Sequence, residues 1–101
     1  MSTEKNNKLV PFLEKEFGPL SFSSFMRAAR SSLGLTQVEM ARRLKITAGT
    51  LCDIEKGRQL VSLRLAKKIA ALSGLSVPIA IEAAMQDQLR KAGLTYKIKI
   101  I

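Results

Sequence analysis

The sequence contains no histidine and a single cysteine, Cys52. Without histidine or a second cysteine, the chain can form neither a zinc finger, nor a disulfide scaffold, nor a Cys–His nucleophile pair. We therefore expect a protein that is not an enzyme and that uses neither a metal nor a cofactor. A free cysteine is more often a small packing residue than a redox sensor, and we interpret Cys52 in that way.

Long apolar segments are also missing from the sequence. The apolar stretches are short, such as Val77–Ile81, and they fall far below the roughly 18–20 residues that a transmembrane helix needs. The start of the chain, Met1–Lys8, is polar and leads into no apolar signal core. We therefore expect a cytoplasmic protein without membrane contact.

What the sequence has in excess is positive charge. The 101 residues include 17 Lys and Arg against 8 Asp and Glu, which gives a net charge of +9. The first 21 residues carry no net charge, so the whole excess lies on residues 22–101. A hydrophobic content of 47% is ordinary for one globular domain. A domain this basic favours an acidic partner such as nucleic acid.

Helical spacing of apolar residues runs through most of the chain, with Gly and Pro between the segments. The pattern predicts an all-α domain over residues 22–92, preceded by an N-terminal segment, residues 1–21. The predicted helices are Pro11–Phe17, which is short, Ser21–Leu33, Thr36–Leu44, Ala48–Lys56, Ser62–Gly74 and Pro78–Ala92. The predicted inward residues of the last helix are Ile81, Ala84, Met85 and Leu89.

The last eight residues change from helical spacing to alternation of apolar and polar residues. This alternation predicts a short C-terminal β-strand, so residues 93–101 form a separate segment. Because a lone strand leaves its backbone groups unsatisfied, we expect it to pair with the same strand of a second subunit in a homodimer. The alternative dimer interface is the Pro78–Ala92 helix. The predicted dimer residues are Leu94, Tyr96, Ile98 and Ile100.

Residues 36–56 have the pattern of a helix-turn-helix, two short helices joined by about three residues. Thr36 and Glu39 form a capping box at the start, and Ala41 lies where the helices approach each other most closely. With the ending Ile54–Arg58, this segment strongly resembles the Cro/cI repressor family of DNA-binding domains, the Xre type. The resemblance covers about residues 22–75. It implies a compact, lambda-repressor-like bundle of about five helices, with one helix, Ala48–Lys56, in the DNA major groove.

The resemblance also assigns roles to residues around this second helix. It implies that Ala48, Gly49 and Asp53 face the bases and that Gln37 contacts a phosphate. Because two of the base-facing residues are too small for bidentate contacts, we expect part of the specificity to come from DNA shape. Arg42 is as well explained by a solvated face as by a DNA contact. The predicted DNA-contacting residues are Gln37, Arg43, Thr47, Ala48, Gly49, Thr50, Asp53, Lys56 and Arg58.

Two further positions follow from the resemblance. Arg30 and Glu55 match an arginine of the first helix and a glutamate at the end of the recognition helix, which form a structural ion pair in the family. Lys45 lies where the family commonly has glycine at the opening of the turn. A lysine can adopt the left-handed conformation at modest cost.

The leading hypothesis is a sequence-specific DNA-binding regulator, in the simplest case a repressor. It would bind a palindromic operator in double-stranded DNA as a homodimer, because one small module makes few base contacts. The protein would then be nucleoid-associated when bound. The alternative is an antitoxin, similar to the HigA and HipB type, that represses its own operon and neutralises a toxin protein. A small enzyme is a poor third hypothesis.

Overall fold

The computed structural model describes residues 21–99, and this part of the chain forms five α-helices. The helices are α1 (Phe22–Leu33), α2 (Gln37–Leu44), α3 (Ala48–Glu55), α4 (Leu63–Ser73) and α5 (Val77–Lys91). The predicted all-helical fold and the number of helices are confirmed for these residues. The predicted helix Pro11–Phe17 lies outside them, and the division into three segments stays a prediction.

Each helix begins at a serine or threonine whose hydroxyl accepts a hydrogen bond from a backbone N–H three residues later. Such caps satisfy N–H groups that have no partner inside the helix, which fixes where the helix starts. The predicted capping box is present at α2, since Glu39 also accepts from the backbone N–H of Thr36 at 2.9 Å. That hydrogen bond lowers the pKa of Glu39. The five capping residues are Ser21, Thr36, Thr47, Ser62 and Ser76.

Helix α1 lies at the centre of the bundle and packs against α3, α4 and α5, while α2 packs on α3 and α4 on α5. Its buried face includes Phe22, Phe25, Met26 and Ala29, and the Phe22 and Phe25 rings lie tilted at a centroid distance of 5.4 Å. The largest fully buried side chains come from all five helices. They are Phe22, Met26, Met40, Leu44, Leu51, Ile54, Ile69 and Ile79.

The inward face of α5 differs from the prediction. Of the residues predicted to face inward, Ala84 is buried, whereas Ile81, Met85 and Leu89 are only half-buried. Small side chains, those of Ala80, Ala83 and Ala84, are buried instead, which lets α5 approach α1 and α4 closely. The buried face of α5 is therefore rotated about the helix axis relative to the face that carries its large apolar residues. The buried residues of α5 are Ile79, Ala80, Glu82, Ala83 and Ala84.

The predicted C-terminal strand is wrong for the part of the tail that is described, since residues 94–99 form no strand. Residues 21–99 contain no strand that this segment could pair with. The N–H of Leu94 donates to the carbonyl oxygen of Leu89, and the backbone groups of Tyr96 and Ile98 bond to a side chain. The amide of Gln86 donates to the carbonyl oxygen of Tyr96 at 2.7 Å and accepts from the N–H of Ile98 at 2.9 Å. Leu94 and Tyr96 are 46% and 70% exposed. Ile100 lies outside the described residues.

Candidate nucleic-acid interface

The two short helices α2 and α3 are joined by a tight turn at Lys45. Lys45 has φ 59° and ψ 42°, the left-handed conformation, and its backbone N–H donates to the carbonyl oxygen of Arg42 at 3.2 Å. It is the one residue other than glycine with positive φ among residues 21–99. This conformation costs a lysine about 1–2 kcal/mol, which glycine avoids. The turn therefore has the geometry that the helix-turn-helix pattern requires, at an energetic cost.

The start of α3 is open to solvent at Gly49. Gly49 is exposed, and a Cβ built on it would lie no closer than 3.9 Å to another atom, the Thr47 hydroxyl. Ala48 is half-buried and packs against the core. Because Gly49 has no side chain, the backbone at this position can approach a partner closely. Asp53, half-buried one turn later, adds a carboxylate that can accept a hydrogen bond.

Thr47 and Thr50 are held together at this surface. The Thr47 hydroxyl accepts from the backbone N–H of Thr50 at 3.0 Å and donates to the Thr50 hydroxyl at 2.9 Å. Thr47 is therefore committed to capping α3. The hydroxyl proton of Thr50 is the one that can still be donated to a ligand, because a hydroxyl has one donor and two acceptor sites.

The end of α3 is closed by a charged network. Glu55 is 5% exposed, and its carboxylate accepts from Arg30 Nε at 2.6 Å and from Arg30 Nη2 at 3.1 Å. A third nitrogen of Arg30 donates to the carbonyl oxygen of Leu35 at 3.1 Å. The hydrogen bond to Glu55 raises the pKa of Arg30. The structure thus brings together the two residues that the resemblance pairs.

Gln37 belongs to the same network. Its side-chain nitrogen donates to the Glu55 carboxylate at 3.2 Å, which fixes the direction of the amide. An amide nitrogen carries two N–H groups, so one remains for a ligand at the start of α2. The Gln37 amide therefore has one N–H bound to Glu55 and a second N–H that can bind a ligand.

Arg27 is a member of this network that sequence reasoning missed. It donates to the backbone carbonyl oxygen of Glu55, so α1 holds both the side chain and the backbone of the last residue of α3. The signal for it was present, because Arg27 and Arg30 lie three residues apart on one helix and share a side. Lys68 was missed too, and it donates to the carbonyl oxygen of Leu44 at the end of α2 at 3.0 Å.

Exposed cations precede and follow α3 in the chain. Lys56 ends the helix and is exposed, and Arg58 follows Gly57 with its side chain 67% exposed. The Arg58 guanidinium lies 3.8 Å from the Asp53 carboxylate, a loose and solvated pair. Before α3 in the chain, Arg42 and Arg43 are exposed in the last turn of α2. Exposed cations therefore occur both at the end of α2, before the start of α3, and directly after α3.

Among residues 21–99, no group of three or more acidic, cysteine or histidine side chains is arranged to hold a metal ion. Within the same part of the chain, none of the helices has the length and apolar character to cross a membrane.

A family model described as a helix-turn-helix domain matches residues 21–80, which is more than half of the chain. The protein belongs to the helix-turn-helix domain family. The predicted helix-turn-helix is thereby confirmed. The match spans α1 to the first turn of α5 and includes both the open start and the closed end of α3. The Cro/cI assignment within this family stays a prediction.

A curated protein of Methanothermobacter thermautotrophicus is similar to this helix-turn-helix protein. It is described as an uncharacterized HTH-type transcriptional regulator and is 45% identical over 51 residues, which cover 50% of this chain and 74% of the relative. No solved structure matches the chain.

Proposed function

We propose that the protein is a sequence-specific, DNA-binding transcriptional regulator, in the simplest case a repressor. The observation that carries this proposal is the solvent-exposed start of α3 in a helix-turn-helix, with the other end of that helix held by hydrogen bonds to the buried Glu55. The relative described as a transcriptional regulator and the net charge of +9 support it. DNA presents a dense row of phosphates, to which a basic surface is complementary.

In the proposed complex, α3 lies in the major groove and base reading is sparse. Gly49 lets the backbone approach the base edges, the Thr50 hydroxyl donates to them, and Asp53 accepts from a cytosine amino group. With so few contacts, sequence-dependent DNA shape supplies part of the specificity. Thr47 and Ala48 fix the position of this surface. Thr47 caps the helix, and Ala48 packs on the core.

The proposed phosphate contacts lie around this surface. Gln37 offers its second N–H at the start of α2, and Arg43, Lys56 and Arg58 offer charge at exposed positions. Contacts of this kind set the register of the protein on DNA without reading sequence.

We propose that the regulator acts as a homodimer on a palindromic operator, with the tail in the interface. The side chains of Leu94 and Tyr96 are exposed, while Gln86 holds the backbone between Tyr96 and Ile98 in a defined position. These two side chains, with the half-buried Ile98, offer apolar surface to a second copy. Deleting residues 94–101 should yield a monomer by light scattering, with weaker operator binding. A truncated chain that stayed dimeric would place the interface on α5.

The same exposed tail residues suit the antitoxin alternative, in which a toxin protein covers them. Co-purification distinguishes the two roles. An antitoxin retains a stoichiometric protein partner that is lost when Tyr96 is replaced, Tyr96→Ser, whereas a simple repressor purifies as a dimer of identical chains.

Selection of bound DNA from fragmented genomic DNA, followed by sequencing, tests the proposed function. We expect enrichment of a palindrome whose half-sites lie about 10 base pairs, one helical turn, apart. A matched selection with Asp53→Asn should change the bases enriched, because an amide donates where the carboxylate only accepts. Recovery of unenriched DNA by both proteins would contradict sequence-specific binding.

A further inference from the structure

A cleft of about 330 Å³ opens beside the proposed DNA-contacting surface. It lies between the segment that follows α3, the start of α1 and the end of α5. Its lining includes three cations and one acid, and the serines at the start of α1 supply hydroxyl groups. The charged lining residues are Arg58, Asp87, Arg90 and Lys91.

Both carboxylate oxygens of Asp87, the acid in the cleft, already accept hydrogen bonds. One carboxylate oxygen of Asp87 accepts from the backbone N–H of Phe22 at 2.9 Å, and the other accepts from an Arg90 nitrogen at 2.6 Å. Asp87 therefore satisfies the start of α1 and pairs with Arg90, so these two charges largely cancel. The positive charge that the cleft offers a ligand comes from Arg58 and Lys91, both exposed.

The position of these two cations connects the cleft to the proposed function. Arg58 lies three residues after the end of α3, on the side where we place a phosphate contact. Lys91 is the last residue of α5 and lines the same cleft. A phosphate seated in the cleft would therefore lie near both Arg58 and Lys91. The Ser21 hydroxyl caps α1 and is hydrogen-bonded to the Ser23 hydroxyl at 2.9 Å, so these two serines offer at most one further donor.

We propose that this cleft receives a backbone phosphate of the bound DNA and that Lys91 supplies its charge. This inference rests on the proposed DNA-binding function and deepens it. It adds to the interface a helix end that lies outside residues 21–80, the part matched by the family model. The contact is independent of base sequence, because a phosphate carries no sequence information.

The test measures how the affinity of the full chain for DNA depends on salt. The probe is a duplex of about 30 base pairs, roughly three helical turns, titrated between about 50 and 200 mM salt. Replacing the lysine, Lys91→Ala, should reduce the log–log salt slope by about 1, since one fewer counterion is released. Affinity at the low-salt end should fall about five- to tenfold, equally for specific and unrelated sequences.

Two matched variants sharpen the result. Lys67→Ala removes an exposed charge from α4 outside the cleft and should leave the slope near that of the original chain. Lys91→Arg keeps the charge and should restore both slope and affinity. An unchanged slope in Lys91→Ala, or an equal loss in Lys67→Ala, overturns the proposed cleft contact while leaving DNA binding intact. If the original chain shows no salt-dependent affinity at all, the proposed function itself fails.

Discussion

The two ends of α3 are built in opposite ways, although the helix is only eight residues long. At the end, Glu55 is buried and receives hydrogen bonds from Arg27, Arg30 and Gln37. At the start, Gly49 is exposed and meets almost nothing. This helix is therefore fixed to the core at its end and exposed to a binding partner at its start. Substitutions at the closed end should therefore change stability, and those at the open end should change binding.

Removing the carboxylate at the closed end has the largest expected effect. Glu55→Ala leaves Arg30 partly buried without its partner, and the free energy of unfolding should fall by about 3 kcal/mol. Chemical denaturation measures it. Asp53→Ala is the matched control on the same helix, and its loss should stay below about 1 kcal/mol because its pair with Arg58 is exposed.

The pairing itself is measured by a double-mutant cycle of Arg30→Ala and Glu55→Ala. Because each change removes the same contact, the loss in the double variant should be smaller than the sum of the single losses. Additive losses would mean that the two side chains contribute separately, and the closed end would not be a network.

The next effect separates stability from binding at the open end. Gly49→Ala should stabilise the folded protein by about 0.5–1 kcal/mol, because alanine favours a helix and its Cβ has room. The added methyl group should keep α3 from the groove and weaken specific DNA binding about tenfold. Thermal melts and binding assays on one preparation measure both. A variant that gained stability and kept full affinity would remove Gly49 from the interface.

A substitution in the turn that precedes α3 should change stability by a similar amount without changing DNA binding. Lys45→Gly relieves the left-handed strain and should raise the free energy of unfolding by about 1 kcal/mol. Lys45→Ala is the control, since it removes the charge but keeps the strain. An equal gain in both variants would attribute the effect to charge instead of to the backbone.

The smallest expected effects are on DNA binding, and they distinguish phosphate-contacting from base-contacting residues around the open end. Lys56→Ala should weaken binding to all sequences about equally, by roughly fivefold, because a phosphate contact is blind to sequence. Thr50→Ala should instead change which sequence is preferred. Competition binding with two duplexes measures the difference, and a change of preference in Lys56→Ala would speak against its role at a phosphate.

How much of this could be predicted from the sequence depends on the range of the interactions. Caps such as the Thr36–Glu39 box are local, and the bounds of α2 followed from them. The pair Arg30–Glu55 came from the resemblance alone, since 25 residues separate the partners. The contact of Asp87 with the start of α1 joins residues that are 65 positions apart, and no local sequence pattern predicts it.

Two predictions failed for related reasons. The inward face of α5 was inferred from its large apolar residues, but Ala80 and Ala83 are buried because α5 packs closely on its neighbours. The alternation of residues 94–101 suggested a strand, yet a strand needs a partner, and within residues 21–99 the hydrogen bonds of Tyr96 and Ile98 go to Gln86.

The most direct test of the central claim is a two-dimensional NMR titration of the labelled protein with its selected duplex. The backbone amides of Gly49 and Thr50 should show the largest shift changes, while the amide of Ile54, buried near the closed end, should change little. Large changes confined to α4 or to residues 94–99, with Gly49 unmoved, would contradict the proposal that the open start of α3 is the surface that meets DNA.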